Sequence, residues 1–272
     1  MSTNGSPIRL LLSDVDGTLV THEKALTGAS IEAVHRLHDA GILFAVTSGR
    51  PPRGMEMLVE PLALTTPISA FNGGLVVEPD MDVVEEKVIP DGLVAPIISL
   101  IESSGLDVWV YRGAHWYVRD LDGAHVAREA FTVQFEPTPV ASYEGVTENV
   151  AKIVGVSDDH ERVASVSHRA HDEFGDHVSA SRSQPYYLDV THPQANKGSV
   201  VRFLSNKFGI PEEEIATIGD MPNDVLMFAR SGLSIAMGQS GPEVHRAARR
   251  VTASNDDDGF AKAVDRYILR AS

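Results

Sequence analysis

Short apolar runs alternate with amphipathic stretches in the N-terminal part of the chain. Ile8–Ser13, Ile42–Thr47 and Pro67–Phe71 predict buried strands, because each is a short apolar run bounded by turn residues. Ser30–Ala40 predicts a helix between the first two strands, and Gly41 ends it. Strand–helix alternation is typical of a parallel sheet, which places functional residues at the carboxyl ends of its strands.

The pattern changes from about Glu78 onwards. The segments LVVEPDMDVVEEKVI and DVWVYRGAHWYVRD predict hairpins, and HVSASRSQPYYLDV predicts a further pair of strands. Asp91–Ser104 and Asp158–Phe174 predict helices between them. Antiparallel strands mixed with helices in this way are typical of an α+β module.

Strand–helix alternation resumes after Asn196. The pattern predicts helices at Lys197–Phe208, Pro222–Arg230 and Pro242–Arg249. It predicts strands between them at Ile215–Gly219 and Leu233–Met237. We therefore predict an α/β protein with a Rossmann-like parallel-sheet core. Residues 1–78 and 194–272 form this core in the prediction, and residues 79–193 form an inserted α+β domain.

Charge and composition narrow the range of functions. The 272 residues include 23 Lys and Arg against 38 Asp and Glu, which gives a net charge of −15 and argues against nucleic acid or an anionic membrane as the main partner. The absence of cysteine excludes disulfides and thiolate metal sites. No apolar run approaches the length of a membrane span, and the N-terminus lacks the pattern of a secretory signal, so we expect a cytoplasmic protein.

Four polar segments follow predicted strands or begin predicted helices. They are Asp14-Val15-Asp16-Gly17-Thr18, Ser48-Gly49-Arg50, Asn196-Lys197-Gly198 and Gly219–Asp224 (GDMPND). Alternation along a strand places Asp14 and Asp16 on the same side, where two carboxylates repel unless a cation or a shared proton lies between them. Each segment taken singly also fits a turn or a helix cap, but all four can converge on one edge of a sheet.

In this order and spacing the four segments resemble the haloacid dehalogenase (HAD) superfamily, and within it the Cof-like phosphatases that carry a large inserted cap. The resemblance implies a HAD-like core with an α+β cap that determines substrate specificity. It also implies a Mg²⁺-dependent phosphatase that hydrolyses small phosphorylated metabolites, such as sugar phosphates, through an aspartyl-phosphate intermediate. The expected partner is thus a small phosphate ester.

The resemblance also implies a role for particular residues. Asp14 is expected to be the nucleophile, and Asp16 the acid–base residue that protonates the leaving group. Ser48, or Thr47 if the strand ends one residue earlier, is expected to contact the transferring phosphate, and Lys197 to balance its charge. Mg²⁺ is expected to bind Asp14, the backbone carbonyl of Asp16, and Asp220, with Asp224 and Asn223 in support. The expected phosphate- and substrate-binding residues are Ser48, Arg50, Asn72, Gly73, Lys197 and Asn223.

Other functions and other uses of these residues stay open on sequence grounds. A phosphomutase shares the aspartyl-phosphate chemistry, and a receiver-type phospho-acceptor module also uses acidic residues, a hydroxyl and a lysine. The sequence names neither the substrate nor the oligomeric state. Two groups invite a binding role but are predicted to be a solvated helix face and core packing, respectively: the histidines His168, His171 and His177, and the aromatic residues Trp109, Tyr111, Trp116 and Tyr117.

Overall fold

The computed structural model describes residues 7–269, which contain fourteen strands. In chain order these strands are β1 (Leu10–Asp14), β2 (Leu43–Thr47), β3 (Ile68–Ala70), β4 (Leu75–Val77), β5 (Val83–Glu86), β6 (Asp107–Arg112), β7 (His115–Val118), β8 (Thr138–Pro139), β9 (Lys152–Val156), β10 (Ser179–Gln184), β11 (Tyr187–Thr191), β12 (Ile215–Gly219), β13 (Leu233–Ala236) and β14 (Arg250–Val251).

The strands form two sheets. The large sheet has the order β14-β13-β12-β1-β2-β3-β4-β5, and it is parallel from β14 to β3. The small sheet has the order β10-β11-β9-β6-β7-β8 and is antiparallel apart from its last pair. The predicted fold class, a Rossmann-like parallel-sheet core with an inserted α+β cap, is confirmed.

Eight α-helices lie among the described residues. They are α1 (Gly28–Asp39), α2 (Asp91–Ser103), α3 (Val126–Val133), α4 (His160–Phe174), α5 (Lys197–Phe208), α6 (Val225–Phe228), α7 (Pro242–Ala247) and α8 (Gly259–Ala263). Helix α5 begins where it was predicted, because the side chain of Asn196 accepts a hydrogen bond from the backbone N–H of Ser199. None of the helices in residues 7–269 is long and apolar enough to cross a membrane.

Among the features that were predicted, one helix and the start of the insertion differ from the structure. The helix predicted at Pro222–Arg230 is a 3₁₀ turn at Pro222–Asp224 followed by the single turn α6. The carboxylate of Asp224 accepts hydrogen bonds from the N–H groups of Asp220 and Met221, which stabilises this tight turn.

The second difference concerns the start of the insertion. Strand β5 pairs with β4 and so belongs to the large sheet, although it lies beyond the predicted start of the insertion at residue 79. The hairpin extends the edge of the large sheet before the chain enters the small sheet. The division into residues 1–78, 79–193 and 194–272 otherwise stays a prediction, and its ends at 1–6 and 270–272 lie outside the described residues.

The two sheets share one apolar core. Trp109, Tyr111 and Trp116 of the small sheet pack in the same cluster as Met55 and Phe71, which lie beside the large sheet. The ring centroids of Phe71 and Tyr111 are 5.4 Å apart. Because Phe71 immediately follows β3, this packing holds the small sheet against the carboxyl ends of the parallel strands.

Candidate active site

Residues of the four motif segments lie at the carboxyl ends of the central parallel strands. Asp14 ends β1 and is in register with Thr47 at the end of β2. Asp220 directly follows β12, the neighbour of β1 on its other side. Lys197 is the first residue of α5. Neighbouring parallel strands end at the same edge, so the fold brings these distant segments together.

The ammonium group of Lys197 lies between two carboxylates. Its Nζ is 2.5 Å from Oδ1 of Asp14 and 2.5 Å from Oδ1 of Asp224, and all three residues are buried. Burial alone lowers the pKa of Lys197, but the two carboxylates outweigh it and hold the pKa above its usual value. Lys197 is therefore a fixed positive charge at this edge of the sheet.

The carboxylates around Lys197 affect one another. Burial raises the pKa of Asp14 well above its ordinary value, the Lys197 charge opposes this, and Asp224 and Asp220 add to it. The pKa of Asp220 rises from 3.8 to about 6, first through burial and then through the charge of Asp224. Thr18 Oγ1 donates a hydrogen bond to Asp220 Oδ1 at 3.2 Å.

The three acidic residues fit a metal ion. One carboxylate oxygen from each of Asp14, Asp220 and Asp224 lies within 4.8 Å of the other two. Three carboxylates face the single ammonium of Lys197, so a bound cation relieves the remaining repulsion. Carboxylate oxygens are the donors that Mg²⁺ and Ca²⁺ prefer, and the donor set therefore suits a hard divalent cation.

The carboxylate of Asp16 points to a different set of partners. Arg50 binds it through Nε at 2.7 Å and Nη2 at 2.8 Å, and Lys24 Nζ lies 2.7 Å away. Burial raises the pKa of Asp16, but the hydrogen bonds and charge of Arg50, joined by the charge of Lys24, hold it well below its ordinary value. The side chain of Asp16 therefore has partners different from those of the carboxylates of Asp14, Asp220 and Asp224. Metal binding through the backbone carbonyl of Asp16 stays a prediction.

The serine that follows β2 lies beside the carboxylate of Asp16. Ser48 Oγ is 3.5 Å from Asp16 Oδ2 and accepts a hydrogen bond from the backbone N–H of Arg50. The alternative residue, Thr47, donates its hydroxyl to Ser69 instead, at 3.2 Å. Of the two hydroxyls, that of Ser48 is the one directed towards Asp16.

The loop after β3 closes one side of the site. The backbone N–H of Asn72 donates to the carbonyl of Ser48 at 2.7 Å, and Asn223 Nδ2 donates to Asn72 Oδ1 at 3.3 Å. Gly73 has φ +99°, and a Cβ there would lie 2.9 Å from the carbonyl oxygen of Asn196. Glycine therefore allows this loop to lie directly against the start of α5.

Sequence reasoning missed two contacts of the site. It did not single out Lys24, which lies in an irregular segment with no motif and a positive φ of 66°. It included Thr18 in a motif but gave it no role. The spacing within Asp14–Thr18 was a signal for Thr18, whereas no local pattern points to Lys24.

The histidines and the aromatic residues have the structural roles that the sequence predicted, a solvated surface and core packing respectively. His168, His171 and His177 are exposed on or just after α4. Trp109, Tyr111 and Trp116 are buried in the shared apolar core, and Tyr117 is half-buried. Neither group adds a ligand to the acidic cluster.

Comparison with known proteins places this geometry in a family. The family described as haloacid dehalogenase-like hydrolase matches residues 11–264. The 5-amino-6-(5-phospho-D-ribitylamino)uracil phosphatase YitU of Bacillus subtilis is 27% identical over 268 residues, which cover 95% of this chain and 97% of that protein.

Two solved structures have the same architecture across nearly the whole chain. A haloacid dehalogenase-like hydrolase from Bacteroides thetaiotaomicron superposes with a TM-score of 0.88 at 27% identity and covers 95% of this chain and 99% of that one. The protein TM0651 from Thermotoga maritima has a TM-score of 0.84 at 25% identity and covers 95% and 97%. The resemblance inferred from the four motif segments is confirmed: the chain belongs to the haloacid dehalogenase-like hydrolase family.

Proposed function

We propose that this chain is a Mg²⁺-dependent phosphatase that hydrolyses small phosphorylated metabolites, in particular sugar phosphates, through an aspartyl-phosphate on Asp14. The chain is a HAD-type phosphoric monoester hydrolase, and the phosphatase YitU, which resembles it over almost its full length, is named for a phosphorylated ribityl compound. The contact of Lys197 with both Asp14 and Asp224 carries the proposal, since it places a fixed positive charge beside a candidate nucleophile.

Asp14 attacks the phosphorus atom of the ester, the P–O bond to the leaving oxygen breaks, and an aspartyl-phosphate forms. Lys197, 2.5 Å from Oδ1 of Asp14, keeps that carboxylate oriented and balances the negative charge of the incoming phosphoryl group. Ser48, at the end of the neighbouring strand, contributes a hydroxyl to the same phosphoryl oxygens. Water then cleaves the aspartyl-phosphate and releases inorganic phosphate.

The acidic cluster would hold the metal ion. Asp14, Asp220 and the backbone carbonyl of Asp16 are the proposed ligands, with Asp224 and Asn223 positioning them. When bound, Mg²⁺ supplies positive charge that offsets the charge developing on the phosphoryl oxygens.

Asp16 is the proposed general acid and base, and Arg50 has to release it first. The guanidinium of Arg50 holds both carboxylate oxygens of Asp16, which keeps this group ionised. A phosphate group offers Arg50 an alternative bidentate partner. When Arg50 turns to the substrate phosphate, Asp16 keeps Lys24 as its only cationic partner. Asp16 then takes a proton from water and delivers it to the leaving oxygen, and it later removes a proton from the attacking water.

The surrounding loops and the insertion complete the binding site in this proposal. Asn72, Gly73 and Asn223 line one side of the site, where they contact the ester group. Residues 79–193 act as the cap, which encloses a compact metabolite and leaves no room for a nucleic acid or a folded protein. A small phosphate ester is thus the proposed partner, and the cytoplasm stays the predicted location.

A hydrolysis assay tests the proposed function. Purified protein with Mg²⁺ should release inorganic phosphate from p-nitrophenyl phosphate and, with higher kcat/KM, from pentose and hexose phosphates and 5-amino-6-(5-phospho-D-ribitylamino)uracil. EDTA and the Asp14→Asn substitution should each abolish the release. Transfer of phosphate to a second sugar without release of inorganic phosphate would indicate the phosphomutase instead, and full activity in Asp14→Asn would remove the mechanism.

A further inference from the structure

A buried ion pair lies on the small sheet, on the face directed towards the parallel-sheet core. Lys152 Nζ of β9 is 2.8 Å from Asp189 Oδ2 of β11, and their side chains are only 11% and 7% exposed. The alternate residues Ile153, Leu188 and Val190 point to the opposite face, where they pack with residues of α2 and α4. The ion pair therefore belongs to the face that meets the active site.

One oxygen of this ion pair has no partner. Asp189 Oδ1 is buried and accepts no hydrogen bond from any described residue. A buried carboxylate oxygen without a partner keeps the full free-energy cost of its desolvation. Only two other buried side-chain polar atoms in residues 7–269 lack a partner, and one of them, Trp116 Nε1, belongs to a residue on the same face of the small sheet. An unpaired buried carboxylate oxygen needs a partner that residues 7–269 do not supply, and a hydrogen-bond donor on a bound ligand is one such partner.

The ion pair lies close to the phosphate-binding centre. The hydroxyl of Tyr111 points to Glu129 of α3 at 3.4 Å, and the Tyr111 ring packs on Phe71, the neighbour of Asn72. The pKa of the half-buried Glu129 is raised first by burial, Lys152 lowers it, and Asp189, Asp16 and Arg50 also act on it. Charges of the small sheet and of the phosphate-binding centre thus both reach Glu129. We define Tyr111, Glu129, Lys152 and Asp189 as the small-sheet cluster.

We propose that Asp189 is a specificity-determining residue whose free Oδ1 accepts a hydrogen bond from a hydroxyl or amino group on the leaving part of the substrate. The inference rests on the proposed phosphatase function, because only a phosphate bound at Asp14 places the rest of an ester against the small sheet. Lys152 orients the carboxylate by holding Oδ2. Since Lys152 is already paired, the two carboxylates of the cluster favour donors and disfavour a second anionic group.

The expected selectivity follows from the cost of leaving Asp189 unpaired. A site that hydrogen-bonds a substrate hydroxyl rejects the analogue that lacks it much more strongly than an apolar pocket rejects a missing methylene. We expect the wild-type enzyme to prefer D-ribitol 5-phosphate, which carries hydroxyls, over n-pentyl phosphate, which has the same chain length without them, by roughly 10²-fold or more in kcat/KM. Both are alkyl esters, so the leaving groups differ little in their need for a proton.

The decisive experiment compares three enzymes on three substrates. Asp189→Asn should reduce the ribitol-to-pentyl ratio of kcat/KM at least tenfold and leave p-nitrophenyl phosphate hydrolysis within about threefold of wild type. Tyr143→Phe is the matched control, because Tyr143 is buried and its hydroxyl donates to the carbonyl of Val108 outside the small-sheet cluster. It should leave the ratio unchanged.

The outcomes separate the two proposals. If the wild type does not hydrolyse p-nitrophenyl phosphate, the proposed phosphatase function is wrong, and this inference is wrong with it. If the wild type hydrolyses that substrate, two outcomes overturn the inference alone. The first is an unchanged ribitol-to-pentyl ratio of kcat/KM in Asp189→Asn. The second is a fall of this ratio in Tyr143→Phe that equals the fall in Asp189→Asn. Should thermal melting show that Asp189→Asn does not fold, Asp189→Glu keeps the charge paired with Lys152 but moves the accepting oxygen, and its ratio should still fall at least tenfold.

Discussion

Lys197 Nζ lies 2.5 Å from Oδ1 of Asp14, although 183 residues separate the two along the chain. Both side chains are almost completely buried, so the contact joins the first strand of the parallel sheet to the first residue of α5 away from solvent. A second carboxylate, that of Asp224, is equally close to the same ammonium. A single lysine thus links the candidate nucleophile to the candidate metal site.

Replacing that lysine should damage both stability and activity. In Lys197→Met, the carboxylates of Asp14 and Asp224 lose their buried counter-charge, and the free energy of unfolding in EDTA should fall by about 3–5 kcal/mol. Phosphate release should fall to the background even with Mg²⁺. Urea unfolding and a p-nitrophenyl phosphate assay measure the two effects. The control Lys207→Met removes a partly exposed pair with Glu78 at 2.8 Å and should change stability by less than about 1 kcal/mol. Equal losses in the two variants would contradict a special role for Lys197.

Asp16→Asn should impair some substrates more than others. Nitrophenolate leaves as a stable anion, whereas an alkoxide needs a proton, so the phosphorylation step should slow by roughly 10²–10⁴-fold for alkyl phosphates and much less for p-nitrophenyl phosphate. Single-turnover burst rates are the appropriate measurement, since Asp16 also assists hydrolysis of the aspartyl-phosphate. If both leaving groups suffer the same loss, Asp16 is not the general acid.

Gly17→Ala should weaken metal binding. Gly17 has φ +81°, and a Cβ there would lie 2.4 Å from Asp220 Oδ2, so alanine strains the backbone and displaces a proposed metal ligand. We expect the Mg²⁺ concentration for half-maximal activity to rise about tenfold or more, which corresponds to the 1–3 kcal/mol typical of such strain. Gly28→Ala at the start of α1 is the control, since a Cβ there meets nothing within 4 Å. A variant Gly17→Ala with unchanged Mg²⁺ dependence would show that the carboxylate of Asp220 is not the ligand.

The stability of the metal-free protein should depend on the ionisation of Asp220. Its pKa is about 6 in the folded protein and 3.8 ordinarily, so the stability it contributes is present at low pH and is lost as the pH rises through about 6. Asp220→Asn cannot lose a proton. Urea unfolding in EDTA should therefore show the variant gaining stability relative to wild type between pH 5 and pH 7.5. A difference between the two proteins that is constant or declines over this range contradicts the pKa assignment.

The sequence determined the elements whose patterns are local and strong. Strand β1 and helix α5 occur within two residues of their predicted limits, because an apolar run and an Asn N-cap act over a few neighbouring residues. The motif segments also predicted that Asp14, Lys197 and Asp220 would meet. Parallel strands end at one edge of a sheet whatever the details of their packing, so this convergence depends only on the order of the elements.

The tertiary structure alone decided the partners of each side chain. Only the packed chain shows that Arg50 and Lys24 hold the carboxylate of Asp16, or that Lys152 holds one oxygen of Asp189 and leaves the other free. No spacing rule joins these residues, because their contacts depend on how two sheets pack and on which side chains burial leaves unpaired. Periodicity fixes the face on which a residue lies, whereas distances and charges across a cleft exist only once both of its walls are in place.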